Sequence, residues 1–293
     1  MARSVAMRAA LVGMGANLML LALKAVATGL SDSLTIFSET LNSLADSVAA
    51  IVILLCVRWA WMNPDHNHPF GHRRAEPIAG LLVAIFTAIL GFEVCRTAVL
   101  DLWQGRLPQE IGRYPFAALF LTAGIKAWLA VYLARRGRRL NSPALRATSI
   151  DCRNDVLIAT QGCLAVLVAD YQQFRMLDTI AALVVGAYIL YSAHHIGMEN
   201  INYLMGKAPD RELLQRIRAA AERVSGVQEV DNVKGHYVGT FVHVELTARV
   251  DGLLSTAESH DVAEAARLAV ESIDNVDRAF VHIEPVSRKA VSY

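Results

Sequence analysis

This chain of 293 residues has only four cysteines and almost no net charge, and each of these two features excludes a class of protein. The cysteines Cys56, Cys95, Cys152 and Cys163 form no CxxC pair and fall in or near apolar segments. Their spacing does not support a disulfide framework or a structural zinc site, so we interpret them as small buried hydrophobic side chains. The formal net charge is only +1, whereas a nucleic-acid-binding protein needs a basic stripe or patch. We therefore expect no nucleic-acid partner.

Sequence motifs of hydrolytic enzymes are missing as well. The chain contains no HExxH or GxSxG motif and no plausible pair of nucleophile and base. We therefore expect that the protein is not an enzyme, and nothing in the sequence indicates an obligatory protein partner.

Long apolar runs dominate residues 1–206. Hydrophobic residues make up 54% of the chain and the mean hydropathy is +0.36, which is too apolar for an ordinary soluble domain. Six stretches each have about 20 or more residues, enough to cross a hydrocarbon core of about 30 Å. They run over residues 7–29, 33–59, 78–102, 114–134, 146–169 and 177–200. The sequence thus predicts a membrane α-helical domain over residues 1–206, a bundle of six transmembrane helices.

Basic residues are distributed unevenly between the predicted loops. One side carries Arg3, Arg8, Arg58, Arg73, Arg74, Arg135, Arg136, Arg138, Arg139, Arg146 and Lys207. The opposite loops carry Arg106, Arg113 and Arg175. Because basic residues accumulate on the cytoplasmic side of a membrane, both termini are predicted to be cytoplasmic. Compact length and the absence of organelle signals favour a multi-pass protein of a bacterial inner (plasma) membrane, surrounded by membrane lipid.

The remaining residues, 207–293, read as a small cytoplasmic domain. RELLQRIRAAAERV has helical periodicity, GTFVHVELTARV alternates as a strand does, and VQEVDNVKG is a possible first strand. STAESHDVAEAARLAVESI predicts a second amphipathic helix capped by Ser255 or Thr256, and VDRAFVHIEP a closing strand. We expect an α+β domain of the ferredoxin-like or metallochaperone-like αββα type, with two helices packed on a three-stranded sheet.

Two apolar segments each carry a pair of oxygen-bearing side chains four residues apart. FSETLNSLADS contains Asn42 and Asp46, and DCRND contains Asp151 and Asp155. Residues i and i+4 share a helix face, so two such helices can present an amide oxygen and three carboxylates to one point. These are ligands for a small divalent cation. Any one of them alone could instead cap a helix or bond a neighbouring backbone.

The loop between the second and third segments is rich in histidine. NPDHNHPFGHRRAEP places Asp65, His66, His68 and His72 within eight residues. Two interpretations stay open, a second metal site and a solvated loop with incidental histidines.

Four features together resemble the cation diffusion facilitator family. They are NSLAD in the second segment, the loop HNHPFGHRRAEP, DCRND in the fifth segment and the tail ending FVHIEP, which occur in the family's order over essentially the whole chain. The resemblance implies a homodimer with six spans that exports divalent metal ions by alternating access, coupled to protons as the counter-ion.

The resemblance also implies which residues bind metal. The family's transport site matches Asn42, Asp46, Asp151 and Asp155, and a loop site matches Asp65, His68 and His72. In the tail, the family's metal-binding positions match His260, His282 and Glu284, with His243 or Glu245 and His236 nearby. For the tail residues, core or solvated roles are an equal alternative.

Two departures from the family pattern bear on the metal and on the link between the domains. Zinc-transporting relatives usually carry histidine where this chain has Asp151, and an all-oxygen set suits Mn²⁺ better than Zn²⁺. The chain thus resembles the manganese-exporting branch, with Fe²⁺, Zn²⁺, Co²⁺ and Cd²⁺ as alternatives. Gly206 stands where some relatives have an aspartate that pairs with a basic residue matching Arg74. A non-transporting membrane metal sensor or scaffold is the alternative from another class.

Overall fold

The computed structural model of the chain describes residues 2–29, 34–104, 113–168 and 175–286. It forms two compact units, residues 1–201 and 202–293. The first unit is built from long helices: α1 (Ala2–Gly29), α2 (Leu34–Ala60), α3 (Ala75–Gln104), α4 (Arg113–Leu140), α5 (Pro143–Val168) and α6 (Arg175–Leu204). The second contains α7 (Arg211–Glu222), β1 (Glu229–Val238), β2 (Phe241–Val250), α8 (Thr256–Glu271) and β3 (Val276–Pro285). Arg106, used above for orientation, lies outside the described residues.

Four helices of the described part are long and apolar enough to cross a membrane. These candidate spans are Arg3–Val26, Thr40–Ala60, Ala75–Gln104 and Thr179–Leu204, within α1, α2, α3 and α6. Helix α4 has a comparable length but ends in an arginine cluster, and α5 carries the charged DCRND motif. The chain is therefore a helical membrane protein, and the helices that depart from a plain apolar composition are α4 and α5.

Small side chains fill much of the helix packing in the membrane unit. Helix α4 packs on α5, α1 on α2, and α3 on both α2 and α5. The larger core cluster includes Ala6, Ala10, Ala79, Ala84, Ala144 and Ala147. Small residues let helix backbones approach closely where lipid supplies no hydrophobic driving force. All four cysteines are free thiols; Cys56 and Cys152 are buried in core clusters, as predicted, whereas Cys95 and Cys163 are half-buried.

Helices α3 and α6 meet through glycines. A Cβ atom added at Gly80 would lie 2.1 Å from Oδ1 of Asn200, and one at Gly186 would lie 2.5 Å from Sγ of Cys95. Asn200 is buried and its Nδ2 donates to the carbonyl oxygen of Ile196. A larger side chain at either glycine would therefore push the two helices apart.

The second unit has the predicted order of helices and strands. Strands β1 and β2 form an antiparallel hairpin, and β2 and β3 pair in parallel across the α8 connection. Helix α8 begins at a capping box, in which the Ser255 hydroxyl accepts from the Glu258 amide and Glu258 accepts from the Ser255 amide. The Ser255 backbone amide holds the pKa of Glu258 below its ordinary value. The α+β fold with two helices on a three-stranded sheet is thus confirmed.

We expect Gly80→Ala to destabilise the membrane unit by about 1–3 kcal/mol, the usual cost of overpacking a core. The clash is with the whole Asn200 amide, which is held by its own hydrogen bond. Thermal unfolding of the purified full chain in detergent would measure the loss.

The matched control is Gly15→Ala in α1, where an added Cβ meets no atom within 4 Å. It should leave the unfolding temperature unchanged or raise it slightly, because alanine favours the helix. Adding Asn200→Ala to Gly80→Ala should restore part of the loss. An unfolding temperature for Gly80→Ala equal to that of Gly15→Ala would show that α3 and α6 do not approach this closely.

Candidate metal centre

Two carboxylates from different helices converge on one buried cation in the membrane unit. The ammonium Nζ of Lys126 on α4 donates to Asp46 Oδ2 on α2 at 2.8 Å and to Asp155 Oδ2 on α5 at 2.6 Å. The Lys126 side chain is 3% exposed, whereas those of Asp46 and Asp155 are 26% and 12% exposed. These three groups tie α2, α4 and α5 together at one point.

Asp151 lies one helical turn before Asp155 and is held separately. Its Oδ1 accepts a hydrogen bond of 2.7 Å from the Thr87 hydroxyl on α3, and Thr87 is fully buried. Asp46, Asp155 and Lys126 all act on Asp151 electrostatically. Helix α3 thereby orients the third carboxylate, and its other oxygen carries no described bond.

Asn42 is the fourth residue that the sequence predicts for this site. It lies one turn before Asp46 on α2, and its side chain is exposed. The structure therefore brings Asp46, Asp151 and Asp155 into one electrostatic cluster, while Asn42 lies at its edge along the helix.

Lys126 belongs to this cluster, and our sequence reasoning did not find it. The signal was present, because Lys126 is a single charge inside the apolar run LTAGIKAWLAVYL. An ionisable residue inside a membrane segment is by default a functional candidate with a partner. Lys126 is not a candidate metal ligand, because an ammonium group has donors but no acceptor.

The histidine-rich loop forms a second cluster, between α2 and α3. The ligand atoms of Asp65, His68 and His72 all lie within 4.8 Å of one another, and His72 Nε2 is 3.2 Å from Asp65 Oδ2. The pKa of Asp65 lies below its ordinary value, chiefly because the His68 backbone amide donates to it, with a further electrostatic effect of His72. Two imidazoles and a carboxylate kept ionised are a donor set that suits a first-row transition metal.

The residues predicted in the cytoplasmic unit lie on two sides of its sheet. Val242, Val244 and Leu246 of β2 pack with both helices in the core of this unit. Strand side chains alternate between the faces, so His243 and Glu245 of β2 point to the opposite face, where His282 and Glu284 of β3 also lie. His260 is exposed on α8, which covers the core face.

On the face of the sheet opposite the helices, the predicted ligands do not form a compact set. His282 Nε2 is 3.9 Å from Glu284 Oε1, and His243 Nε2 is 3.6 Å from Asp277 Oδ2. His236 stacks edge-on against His243, with ring centroids 5.8 Å apart. Within the described residues, the only group of three such ligands close enough to hold a metal is the loop cluster. The predicted ligands of the tail, within one protomer, are thus not as close together as the three ligands of the loop cluster.

Gly206 follows α6 in a conformation that favours glycine. Its φ is +82°, in the left-handed region. A side chain with a Cβ is strained there, so the backbone that follows α6 favours glycine at this position.

A helical membrane unit with a cluster of half-buried carboxylates, followed by a separate α/β unit, is an arrangement that fits a metal-ion transporter. Residues 10–205 match the cation efflux transmembrane domain, and residues 209–286 match the cytoplasmic domain of cation efflux proteins. The chain belongs to the cation efflux family, the cation diffusion facilitators. Its function is efflux of divalent metal cations. The family consists of transporters, not enzymes.

Relatives align over almost the whole chain. An uncharacterized transporter of Methanocaldococcus jannaschii is 30% identical over 270 residues, which cover 92% of this chain and 95% of the relative. The manganese efflux system protein MneS of Bacillus subtilis is 28% identical over 284 residues, 96% of each chain. Among solved structures, a MamM-CTD variant is 28% identical, with a TM-score of 0.26, and covers 27% of this chain and 100% of that one.

We expect His72→Ala to weaken divalent-metal binding at the loop by about tenfold or more, since loss even of an outer-shell partner costs 10- to 100-fold. His72 is the least exposed member of the cluster, with 15% of its side chain exposed, and its Nε2 faces Asp65. The number of Zn²⁺ ions bound per purified chain at low micromolar metal, measured by elemental analysis, should fall by about one.

His66→Ala is the matched control, because His66 is an exposed histidine of the same loop outside the cluster. It should bind as many ions as the native chain. Equal stoichiometry in both variants would favour the solvated-loop interpretation.

Proposed function

We propose that this protein exports a divalent transition metal, preferentially Mn²⁺, from the cytoplasm through a site formed by Asn42, Asp46, Asp151 and Asp155. The observation that carries the proposal is the convergence of Asp46 and Asp155 on one cation in the membrane unit. Carboxylate oxygens from two helices that bind an ammonium group at one point can coordinate a metal ion at the same point.

The donor chemistry supports Mn²⁺ over Zn²⁺. Asn42, Asp46, Asp151 and Asp155 offer only oxygen atoms, which suit Mn²⁺, whereas imidazole and thiolate ligands suit Zn²⁺. The relatives MneS and MneP of Bacillus subtilis are manganese efflux system proteins, 28% and 27% identical to this chain. Fe²⁺, Co²⁺, Cd²⁺ and Zn²⁺ are weaker candidates on the same grounds.

Transport proceeds by alternating access in a bundle of six spans with both termini in the cytoplasm of a bacterial cell. The ion enters the carboxylate cluster from the cytoplasm, the bundle rearranges, and the ion leaves on the far side. Protons that enter from that side compete for the same carboxylate oxygens, which couples metal export to the inward proton gradient. The basic ends of α2 and α4, at Arg58 and at Arg138 and Arg139, support this orientation.

The cytoplasmic unit forms the contact between two copies of the chain. It exposes large apolar side chains, Leu253, Leu268 and Phe280, at 75%, 55% and 50% exposure. Burial of apolar side chains drives protein association, and a domain of this size gains stability from pairing.

The transport site is tested by ion flux into proteoliposomes under an imposed pH gradient. Asp151→Ala should abolish flux of Mn²⁺, because it removes a ligand that Thr87 holds in position. Asp151→His should shift the preference from Mn²⁺ towards Zn²⁺, because it introduces an imidazole ligand.

Asp101→His provides the control, since this aspartate lies in the last turn of α3 and outside the carboxylate cluster. Its metal preference should equal that of the native chain. Normal Mn²⁺ flux in Asp151→Ala would disprove the site, and equal flux of the two metals in every variant would disprove the argument from donor type. Binding without flux of any metal would favour a membrane sensor or scaffold.

The dimer is tested by removing residues 207–293. The truncated membrane unit should dissociate to monomers at concentrations where the full chain is a dimer, as measured by light scattering in detergent. Leu268→Glu in the full chain should weaken dimerisation in the same direction without removing the unit. A dimer unchanged by truncation would show that the membrane helices hold the copies together.

A further inference from the structure

We propose that Lys126 is a tethered internal cation, which occupies the metal position between Asp46 and Asp155 when the ion is absent and is displaced when the ion binds. The inference rests on the proposed function, since it assigns a role to a residue that contacts the proposed ligands. Lys126 is thereby a determinant of metal affinity and release, although it is not itself a ligand.

The geometry makes occupancy by Lys126 and by a metal mutually exclusive. Lys126 Nζ is 2.8 Å from Asp46 Oδ2 and 2.6 Å from Asp155 Oδ2. Small divalent cations bind carboxylate oxygens at about 2.0–2.6 Å, so an ion shared by these two oxygens would lie almost where Nζ lies. An ammonium group has three donors and no acceptor, so it cannot join the coordination shell and must move.

The charges of the cluster favour a cation or protons at this position when the metal is absent. Asp46, Asp151 and Asp155 are three carboxylates inside a membrane unit, where isolated charges are costly. Lys126 is the cation in bonding contact with two of them, and Asp151 also acts on it electrostatically. If the metal left with nothing in its place, the carboxylates would face one another without compensation.

The lysine side chain is suited to exchange places with an ion. Its charge is carried on a flexible stem of four carbons, unlike the planar fork of arginine. Thr87 holds Asp151 from α3, so this carboxylate keeps a partner when Lys126 moves. The returning ammonium then helps to expel the metal, and binding stays weak enough for release, as ion conduction requires.

A purely structural ion pair predicts the opposite result when the lysine is removed. If Lys126 only held α2, α4 and α5 together, Lys126→Met would distort the site and weaken metal binding. If Lys126 competes with the metal, the same variant binds metal more tightly. The direction of the change therefore separates the two roles.

The experiment measures the Kd for Mn²⁺ by titration calorimetry on the full chain in nanodiscs. All variants carry His72→Ala, so that the loop cluster does not contribute. Lys126→Met should lower the Kd by about ten- to a hundredfold, because the ion no longer has to break two charge-assisted hydrogen bonds. It should also slow Mn²⁺ flux, because release loses its internal competitor.

Lys24→Met is the matched control, a second buried lysine of the membrane unit, on α1. It acts on Asp155 electrostatically, and Lys126 acts on this carboxylate more strongly through its hydrogen bond, so the effect of Lys24→Met on the Kd should be smaller. If Lys126→Met fails to fold, Lys126→Gln keeps hydrogen-bond donors without the charge and should show the same tighter binding.

Asp155→Asn separates failure of this inference from failure of the proposed function. If Asp155→Asn leaves Mn²⁺ binding unchanged, the carboxylates are not the site and the proposed function fails. If Asp155→Asn abolishes binding while folded Lys126→Met or Lys126→Gln binds Mn²⁺ as the native chain does, or less tightly, the tethered-cation inference is overturned and the site stands.

Discussion

Compensation of buried negative charge is the constraint on which the membrane unit depends. Three carboxylates on α2 and α5 cannot lie inside a low-dielectric bundle without a cation or hydrogen-bond donors beside them. Lys126 on α4 and Thr87 on α3 supply these partners. Four helices are therefore fixed at one point by polar contacts, in a unit whose other contacts are mostly between small apolar side chains.

Replacing Lys126 by a metal ion would change which helices are tied together. In the structure the ammonium links α4 to both α2 and α5. An ion bound by Asp46 and Asp155 keeps the link between α2 and α5 but releases α4 from it. Under the proposed mechanism, exchange of the two cations thus converts a local charge event into a change of helix packing, and two discrete packings are what alternating access needs.

Local patterns in the sequence predicted the helices and strands. The features that these patterns did not predict depend on contacts between helices and strands. The helical and strand periods of the tail predicted the order of α7, β1, β2, α8 and β3, with β1 as a possible strand, and of the two predicted cap residues, Ser255 and Thr256, Ser255 caps α8. The four-residue spacing placed Asp151 and Asp155 on one helix face. Lys126 was missed because its role depends on the packing of α4 against α2 and α5, which no period within α4 encodes.

The tail shows the same limit. His282 and His260 both matched the family's metal positions, yet β3 turns His282 away from the helices while α8 lies on the other face of the sheet. The packing of the whole domain determines which face of the sheet a helix covers. The sequence of the strand or of the helix alone does not determine it. By contrast, Asp65, His68 and His72 lie within a single turn-rich loop, where short separation along the chain was sufficient to bring them together.

The position of Thr87 bears on how one scaffold can serve different metals. Its hydroxyl donates to Oδ1 of Asp151 and leaves the second oxygen for an ion. A histidine at the same position could bind metal with one ring nitrogen and donate its other ring N–H to the Thr87 hydroxyl oxygen, since a hydroxyl can accept as well as donate a hydrogen bond. The support from α3 therefore fits a carboxylate or an imidazole equally well. In the proposed site, selectivity between Mn²⁺ and Zn²⁺ would then depend on the donor atom at residue 151, while the packing that holds it stays the same.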